Sequence, residues 1–380
     1  MNLFSFLVVK TFLLLIFSIL FAFYFHPFFL FLLIPFIYLA FKWKKYYYLI
    51  FFLSFFFYTY SYLSKSQENK KKNFISQNKI RNYIERTFDN FLEKENKGLV
   101  FGLFLGDKTK LSFELKEIFR KNGLYHILAV SGLHITIFAF VMLIIFNIFQ
   151  FPFSLRYIFL IPLLFFYAGL CSFQPSILRA GFMFLFVSFS YFLNRKTLPI
   201  NNLFASGVLI LLFSPLTLFK TSFQLSFLAT FGILYLYPYF DSLIKIENNL
   251  IKNILISPFF VSLSAYLATL PIIISTFGNI PTAPVFANLV IIPLVGLIIP
   301  LILTILFFSL FSPFLTLIFS YSLNFLLKIL IILTKFFSQI FPLIKIEKEY
   351  GIIFFILLIS LCYSFYEKNS QNSSEVSKKG

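Results

Sequence analysis

Two of the chain's three histidines flank a serine in the stretch YHILAVSGLHIT, residues 125–136. Histidine titrates near neutral pH and serves as a base, a proton carrier or a metal ligand. Ser131 and His134 stand three residues apart and would share a helix face, which raises a nucleophile with its base. Such a pair also needs a group to orient the imidazole and donors for an oxyanion, and the segment supplies neither. AVSGLH does not match the Gly-x-Ser-x-Gly elbow either. His126 and His134 are eight residues apart with no carboxylate or thiol in the surrounding segment, a poor set of metal ligands. No metal or cofactor is expected, and nucleophilic catalysis is disfavoured. Two readings stay open: histidines satisfied by the backbone and neighbouring helices, or the polar lining of a hydrated path through a membrane.

Other polar groups interrupt apolar sequence in the same way. Asp107 follows Gly106 in GLFLGDKTKLS, and Arg179 opens an apolar run in FQPSILRAGF, just after Gln174. Gln224 lies in LFKTSFQLSFLATFG and Asn288 in APVFANLVIIP. An ionisable side chain inside a span costs about 2.5–3.5 kcal/mol on insertion scales, so such groups normally face a protein interior or water.

The elements that must position these groups are set by composition. Of 380 residues, 59% are hydrophobic and 12% charged, far more apolar than a soluble domain. Apolar runs long enough to cross a bilayer recur almost to the end. The expectation is an all-α polytopic membrane protein with about 10–12 transmembrane helices, and no barrel, whose strands would alternate. The 62 phenylalanines are spread over every span and imply no function. Cys171 and Cys362 lie far apart and suggest neither a disulfide framework nor a zinc site. The net charge of +18 serves topology in part, because cytoplasmic loops collect Lys and Arg, and the remainder could attract a polyanion.

Spans are expected near 3–25, 28–41 and 46–63, then near 124–149, 157–173, 176–193, 201–213, 222–240, 254–277, 284–309, 312–334 and 350–366. The first is expected to be retained, since no cleavage site follows it. With Lys42, Lys44 and Lys45 inside, residues 64–97 fall outside the cytoplasm. That segment carries nine Lys or Arg against five Asp or Glu, and Ile80, Tyr83, Ile84, Phe88, Phe91 and Leu92 predict an amphipathic helix in its second half. In LSFELKEIFRKNG, Ser112 is an N-cap, Arg120 and Lys121 suit the last turn, and Gly123 is a stop. That helix is too short to span and belongs at the interface or in a re-entrant position. Pro271, Gly278, Pro281, Pro284, Pro293, Gly296 and Pro300 predict broken helices of the kind transporters place at their sites. The expected organisation is 1–63, N-terminal helices; 64–97, a basic extracytoplasmic segment; 98–310, a channel domain; 311–366, C-terminal helices; and 367–380, a disordered tail.

GLFLGDKTKLSFELKEIFRKNGLYHILAVSGLHITI, residues 102–137, resembles the signature of the ComEC/Rec2 competence proteins. The likeness continues through QPSILRAGFM, FSPLTLFKTSFQLSFLATFGILYL and YLATLPIIISTFGNIPTAPVFANLVIIPLVGLIIP, over about 98–310. It implies an inner-membrane channel passing single-stranded DNA during natural transformation. Gly106 and Asp107 fall in the family's LGD element, Ser131 to His134 in SGLH, Arg179 in PSxxRA, Phe223 to Ser226 in FQLSF, and Ala287 and Asn288 in AN. Tyr266 stands where relatives often have Gln. The candidate lining is therefore Asp107, Arg120, His126, Ser131, His134, Gln174, Arg179, Gln224 and Asn288. Many relatives also carry an oligonucleotide-binding-like domain and a metallo-β-lactamase-like domain, and this chain is expected to have neither. The implied partners are single-stranded DNA, membrane lipids, a periplasmic DNA receptor and a cytoplasmic helicase or motor, and the reading is compatible with a homo-oligomer. Rival classes are a small-solute or lipid transporter, an intramembrane lipid enzyme, and a membrane scaffold.

Overall fold

The structure, a computed structural model, describes residues 3–24, 55, 56, 58–60, 79–243 and 249–379. The expected spans at 28–41 and 46–63, and the first half of the basic segment, lie wholly or mostly outside them. The described helices are α1 (Leu3–Tyr24), α2 (Lys79–Phe91), α3 (Lys94–Leu105), α4 (Phe113–Lys121), α5 (Gly132–Ile148), α6 (Phe153–Leu170), α7 (Pro175–Phe192) and α8 (Pro199–Phe213). They continue with α9 (Thr221–Leu243), α10 (Ser257–Phe277), α11 (Pro284–Phe308), α12 (Pro313–Ile340) and α13 (Tyr350–Lys379). Strands β1 (Asn279–Pro281) and β2 (Leu343–Lys345) form an antiparallel ribbon.

Among the described residues, five helices are long and apolar enough to cross a membrane: α7, α9, α10 with its lead-in from Lys252, α11 and α12. Shorter apolar stretches occur at Val8–Leu20, Gly132–Ile148, Leu155–Leu170, Pro199–Phe213 and Tyr350–Ser364. The chain is an all-α polytopic membrane protein, as its composition requires. In lipid, a helix satisfies its backbone groups within its own segment.

Residues 1–78 and 182–223 form one compact unit, and 79–181 and 224–380 form another. The division runs through α7 and α9, not at the composition changes near 63, 97 and 310, because tertiary packing and polarity partition the chain differently. In the first unit α1 packs on α8, with the rings of Phe12 and Phe204 5.3 Å apart.

The second unit is built on the hairpin of α11 and α12. Ile291, Val295, Ile298, Ile302 and Ile305 are buried on α11. Thr316, Ser320, Leu323, Leu327, Leu330, Thr334 and Phe337 are buried on α12. Both sets alternate steps of three and four, the spacing of a knobs-into-holes seam. The hydroxyls of Thr316, Ser320 and Thr334 bond to their own helix, at Ser312 O (2.8 Å), Leu317 O (2.7 Å) and Leu330 O (2.9 Å), and so cost little in the seam.

Helix α3, with Leu99, Val100, Phe101 and Leu103 fully buried, is fastened to α12 by polar bonds. Asn96 Nδ2 donates to Asn324 Oδ1 (2.8 Å), Lys328 pairs with Glu93 (2.8 Å), and beyond α4 the Asn122 amide donates to Thr334 O (2.7 Å). The amphipathic helix expected in the basic segment is α2, with Ile84 and Phe88 buried. Helix α4 starts and stops as its sequence predicts: Ser112 Oγ accepts from Leu115 N at 3.3 Å, and Gly123 adopts φ +66°.

The prolines do not divide the helices. Pro271 lies inside α10, and Pro293 and Pro300 inside α11. Each removes one backbone donor from its helix. The interruption falls instead at left-handed Gly278 (φ +64°), where α10 gives way to β1. At the C-terminus the expected disordered tail is helical to Lys379. A helix already nucleated gains one hydrogen bond for each further residue it fixes, and α13 is nucleated where it packs on α10.

Close helix approach depends on a few glycines. A Cβ on Gly232 of α9 would stand 2.5 Å from both Ala268 Cβ and Ser264 O, whereas one on Gly181 would meet nothing within 4 Å. Gly232→Leu is therefore expected to lower the thermal unfolding midpoint in detergent, at an overpacking cost of about 1–3 kcal/mol. Gly181→Ala should unfold no earlier than wild type. Indistinguishable melting of Gly232→Leu and wild type would contradict this packing.

Candidate functional site

The stretch from Leu124 to Ser131 is not the first part of a span. It folds as turns, with Leu124 N bonded to Phe119 O and Ile127 N to Leu124 O, and α5 begins only at Gly132. His126 is thus outside the span and exposed, its Nδ1 2.9 Å from Gly123 O. Ser131, extended at φ −113° and ψ 178°, occupies the N-cap of α5. His134, at the third helical position, reaches back so that its Nδ1 accepts from the Ser131 backbone N–H (3.1 Å), as the third residue of a capping box does. Ser131 Oγ is also 3.1 Å from that nitrogen. In the neutral ring this leaves the proton on Nε2, which is buried without a hydrogen-bond partner among the described residues.

Arg179 lies one turn into α7 and is 9% exposed. Its Nε donates to Ser226 Oγ (2.8 Å) and its Nη1 to Thr230 Oγ1. Ser226 and Thr230 stand four apart on α9 and present one face. A Cβ on Gly132 would lie 2.8 Å from Arg179 Nη2, so glycine here lets the start of α5 approach the guanidinium without displacing it. Ser176 Oγ donates to Val130 O (2.7 Å), joining the start of α7 to the residue before the α5 cap. Three segments far apart in sequence therefore meet: SGLH, PSxxRA and the first half of α9.

A second group gathers on the loop between α3 and α4. Gly106 ends α3 at φ +72°, and a Cβ there would meet Gln174 Nε2 at 2.4 Å, so the LGD element sits against the residue that precedes α7. Asp107 Oδ1 accepts from Thr109 N (3.0 Å) and Thr109 Oγ1 (2.6 Å). Its other oxygen pairs with Arg81 of α2. Glu85 completes the network, 3.7 Å from Arg81 and 3.3 Å from Lys110. Burial alone would raise the Asp107 carboxyl, but the Thr109 bonds and the charges of Arg81 and Lys110 outweigh it and hold it below its ordinary value. Lys108, half-buried, places Nζ 3.6 Å over the Tyr125 ring, and burial depresses its ammonium to about 8.

Arg120 and Asn288 make their contacts elsewhere. Arg120 is exposed at the end of α4, 3.5 Å from Glu117. Asn288 of α11 donates to Ser262 Oγ of α10 (2.9 Å), with its Oδ1 buried and unpartnered among the described residues. Gln224 is half-buried on α9, two residues before Ser226. Sequence reading overlooks Thr230, Arg81, Lys108 and Tyr125 as site residues. The i, i+4 hydroxyls after Gln224 are a legible signal for Thr230, whereas the pairing of Arg81 with Asp107 has none.

A family model described as "Competence protein" matches residues 103–370. The chain is 28% identical over 217 residues to "ComE operon protein 3" of Bacillus subtilis, covering 56% of this chain and 26% of that protein. It is 31% identical over 219 residues to an uncharacterized protein of Aquifex aeolicus, covering 57% of this chain and 49% of that one. It is also 28% identical over 223 residues to the uncharacterized protein YcaI of Escherichia coli, covering 57% and 29% respectively. The chain thus matches between about a quarter and a half of the length of these relatives. No solved structure matches it.

The environment of Lys108 can be read directly. A lysine lowered to about 8 from 10.5 loses its proton two or more pH units earlier than a solvated one, so its nucleophilic neutral form grows as pH rises through 8. Acylation of the detergent-solubilised protein followed by peptide mass spectrometry should give Lys108 a rate profile turning over near pH 8. Exposed lysines should keep climbing above it. A Lys108 profile that parallels theirs would rule out this buried setting.

Proposed function

Because the chain belongs to the competence protein family, whose model matches residues 103–370, we propose that it conducts single-stranded DNA across the cytoplasmic membrane during natural transformation. The observation that carries this reading is Arg179, a buried guanidinium held by hydroxyls in an apolar bundle and set beside the N-terminus of α5. Helix N-termini and guanidinium groups both favour anions, and a phosphodiester strand is a continuous line of them. The protein is then a conduit and not an enzyme. Ser131, His134, Arg179 and Gln224 would line the passage, and Asp107, Gln174 and Asn288 would shape it. His126 and Arg120 would act at the surface.

The sequence holds no Walker-type phosphate loop, so pulling would depend on a separate cytoplasmic helicase or on a gradient. A periplasmic receptor would deliver the strand, and a homo-oligomer is compatible with this role. A small-solute or lipid transporter is the second reading, favoured only by the prolines inside helices α10 and α11.

Cells lacking the protein and given labelled double-stranded DNA should hold label outside the inner membrane, with none entering the cytoplasm. Normal entry in that strain would end this reading. Arg179→Ala, still inserted in the membrane, should reduce transformation at least about tenfold, a barrier change of about 1.4 kcal/mol. Arg179→Lys should recover only part of the loss, because ammonium cannot reproduce the planar fork. Undiminished transformation by Arg179→Ala would remove that residue from the path.

A further inference from the structure

The charged network on the loop between α3 and α4 does not balance. It contains three cations, Arg81, Lys108 and Lys110, and two carboxylates, Glu85 and Asp107. Arg81 pairs with both acids, and Lys110 pairs with Glu85 (3.3 Å) while lying 4.1 Å over the Phe101 ring. Among the described residues no carboxylate lies within 4.0 Å of Lys108 Nζ, so the surplus positive charge rests there. Its neighbour is the face of Tyr125, 3.6 Å away. Tyr125 is 38% exposed, and exposed His126 follows it.

A half-buried ammonium without a counter-charge is set up to gain from an anion brought to it. A tyrosine ring with one face against a cation and part of its surface open can take a flat apolar group against the remainder. Cation and open ring side by side are the two components of sequence-tolerant single-strand binding, one for the phosphate and one for the base. From this juxtaposition we infer that Lys108 and Tyr125 form a subsite for one nucleotide of a single strand, with the phosphodiester on Lys108 and the adjoining base on Tyr125. The inference rests on the DNA-conduit reading and assigns that reading a contact outside the spans. Asp107 serves it by holding Arg81 and fixing the loop through Thr109, which leaves Lys108 as the uncompensated charge. A lipid headgroup or free phosphate would present the same anion to Lys108 but offer nothing flat to Tyr125.

The test uses the full chain in phosphatidylcholine nanodiscs, with binding of a fluorescent oligothymidylate followed by anisotropy across a salt series. Lys108→Gln should weaken binding and reduce the slope of log affinity against log salt by about 0.7, the value for one phosphate contact on a single strand. Lys108→Arg should restore both. Tyr125→Ala should weaken binding of oligothymidylate but not of an abasic strand of equal length, and Tyr125→Phe should behave as wild type. Wild-type binding with an unchanged slope in Lys108→Gln overturns the subsite and leaves the conduit reading intact. Absence of binding by wild type overturns both. Equal losses on normal and abasic strands in Tyr125→Ala overturn the base contact. Loss of the Lys108 dependence on adding phosphatidylglycerol or inorganic phosphate assigns the site to those anions and overturns the nucleotide assignment.

Discussion

A guanidinium held at 9% exposure among apolar helices has to be solvated by the protein itself, because charged groups at membrane depth cost several kcal/mol when left without partners. For Arg179 that requirement dictates much of what surrounds it. Helix α9 must offer two hydroxyls on one face, and Ser226 and Thr230 do so at a spacing of four. Helix α5 must begin within reach, and Gly132, which has no side chain to push the guanidinium aside, lets it do so. The approach of α5 to α7 must be held, and Ser176 holds it through the Val130 carbonyl. The separated motifs SGLH, PSxxRA and the run after FQLS are parts of one solution to the problem of burying this charge.

The loop end solves a different problem. There the charges are partly exposed, and pairs such as Arg81 with Glu85 are individually weak contributors. What the network supplies is geometry. Asp107 ties α2 to the loop through Arg81 and turns the loop through Thr109, while the left-handed Gly106 lets α3 end against Gln174. Because Gln174 immediately precedes α7, the loop network and the buried arginine are connected through one short stretch of chain. The α11–α12 hairpin carries both, since α3 and the end of α4 are bonded to it through Asn324 and Thr334.

The parts legible in the sequence are those decided by local chemistry. The caps of α4, the amphipathic pattern of α2 and the apolar length of α7 and of α9 to α12 each depend on residues near one another in the chain, and each forms as its pattern predicts. His134 was legible as a buried polar group but not as a cap, because its role depends on where α5 starts, and the apolar residues of ILAV before Ser131 hide that boundary from hydropathy. The same concealment put His126 inside a span. Arg81 and Lys108 carried no signal, since the one depends on a partner 26 residues away and the other on a ring 17 residues on. The two-unit division was illegible for the same reason: contacts across long sequence separations define it, whereas composition changes locally.

The balance of buried polar groups bears on what such a molecule could carry. Among the described residues the buried polar set includes one guanidinium, one imidazole and a series of hydroxyls and amides, and no Asp or Glu. Paths for metal cations through membrane bundles rely on carboxylates to replace lost water. Among the described residues the buried formal charge is positive, which favours an anion over a cation. Helix geometry adds to the bias, because the N-terminal turn of α5 faces the same guanidinium. The carboxylates of the second unit lie instead on the loop and surface, where Asp107 and Glu85 restrain Arg81 and Lys110 and leave the free positive charge on Lys108.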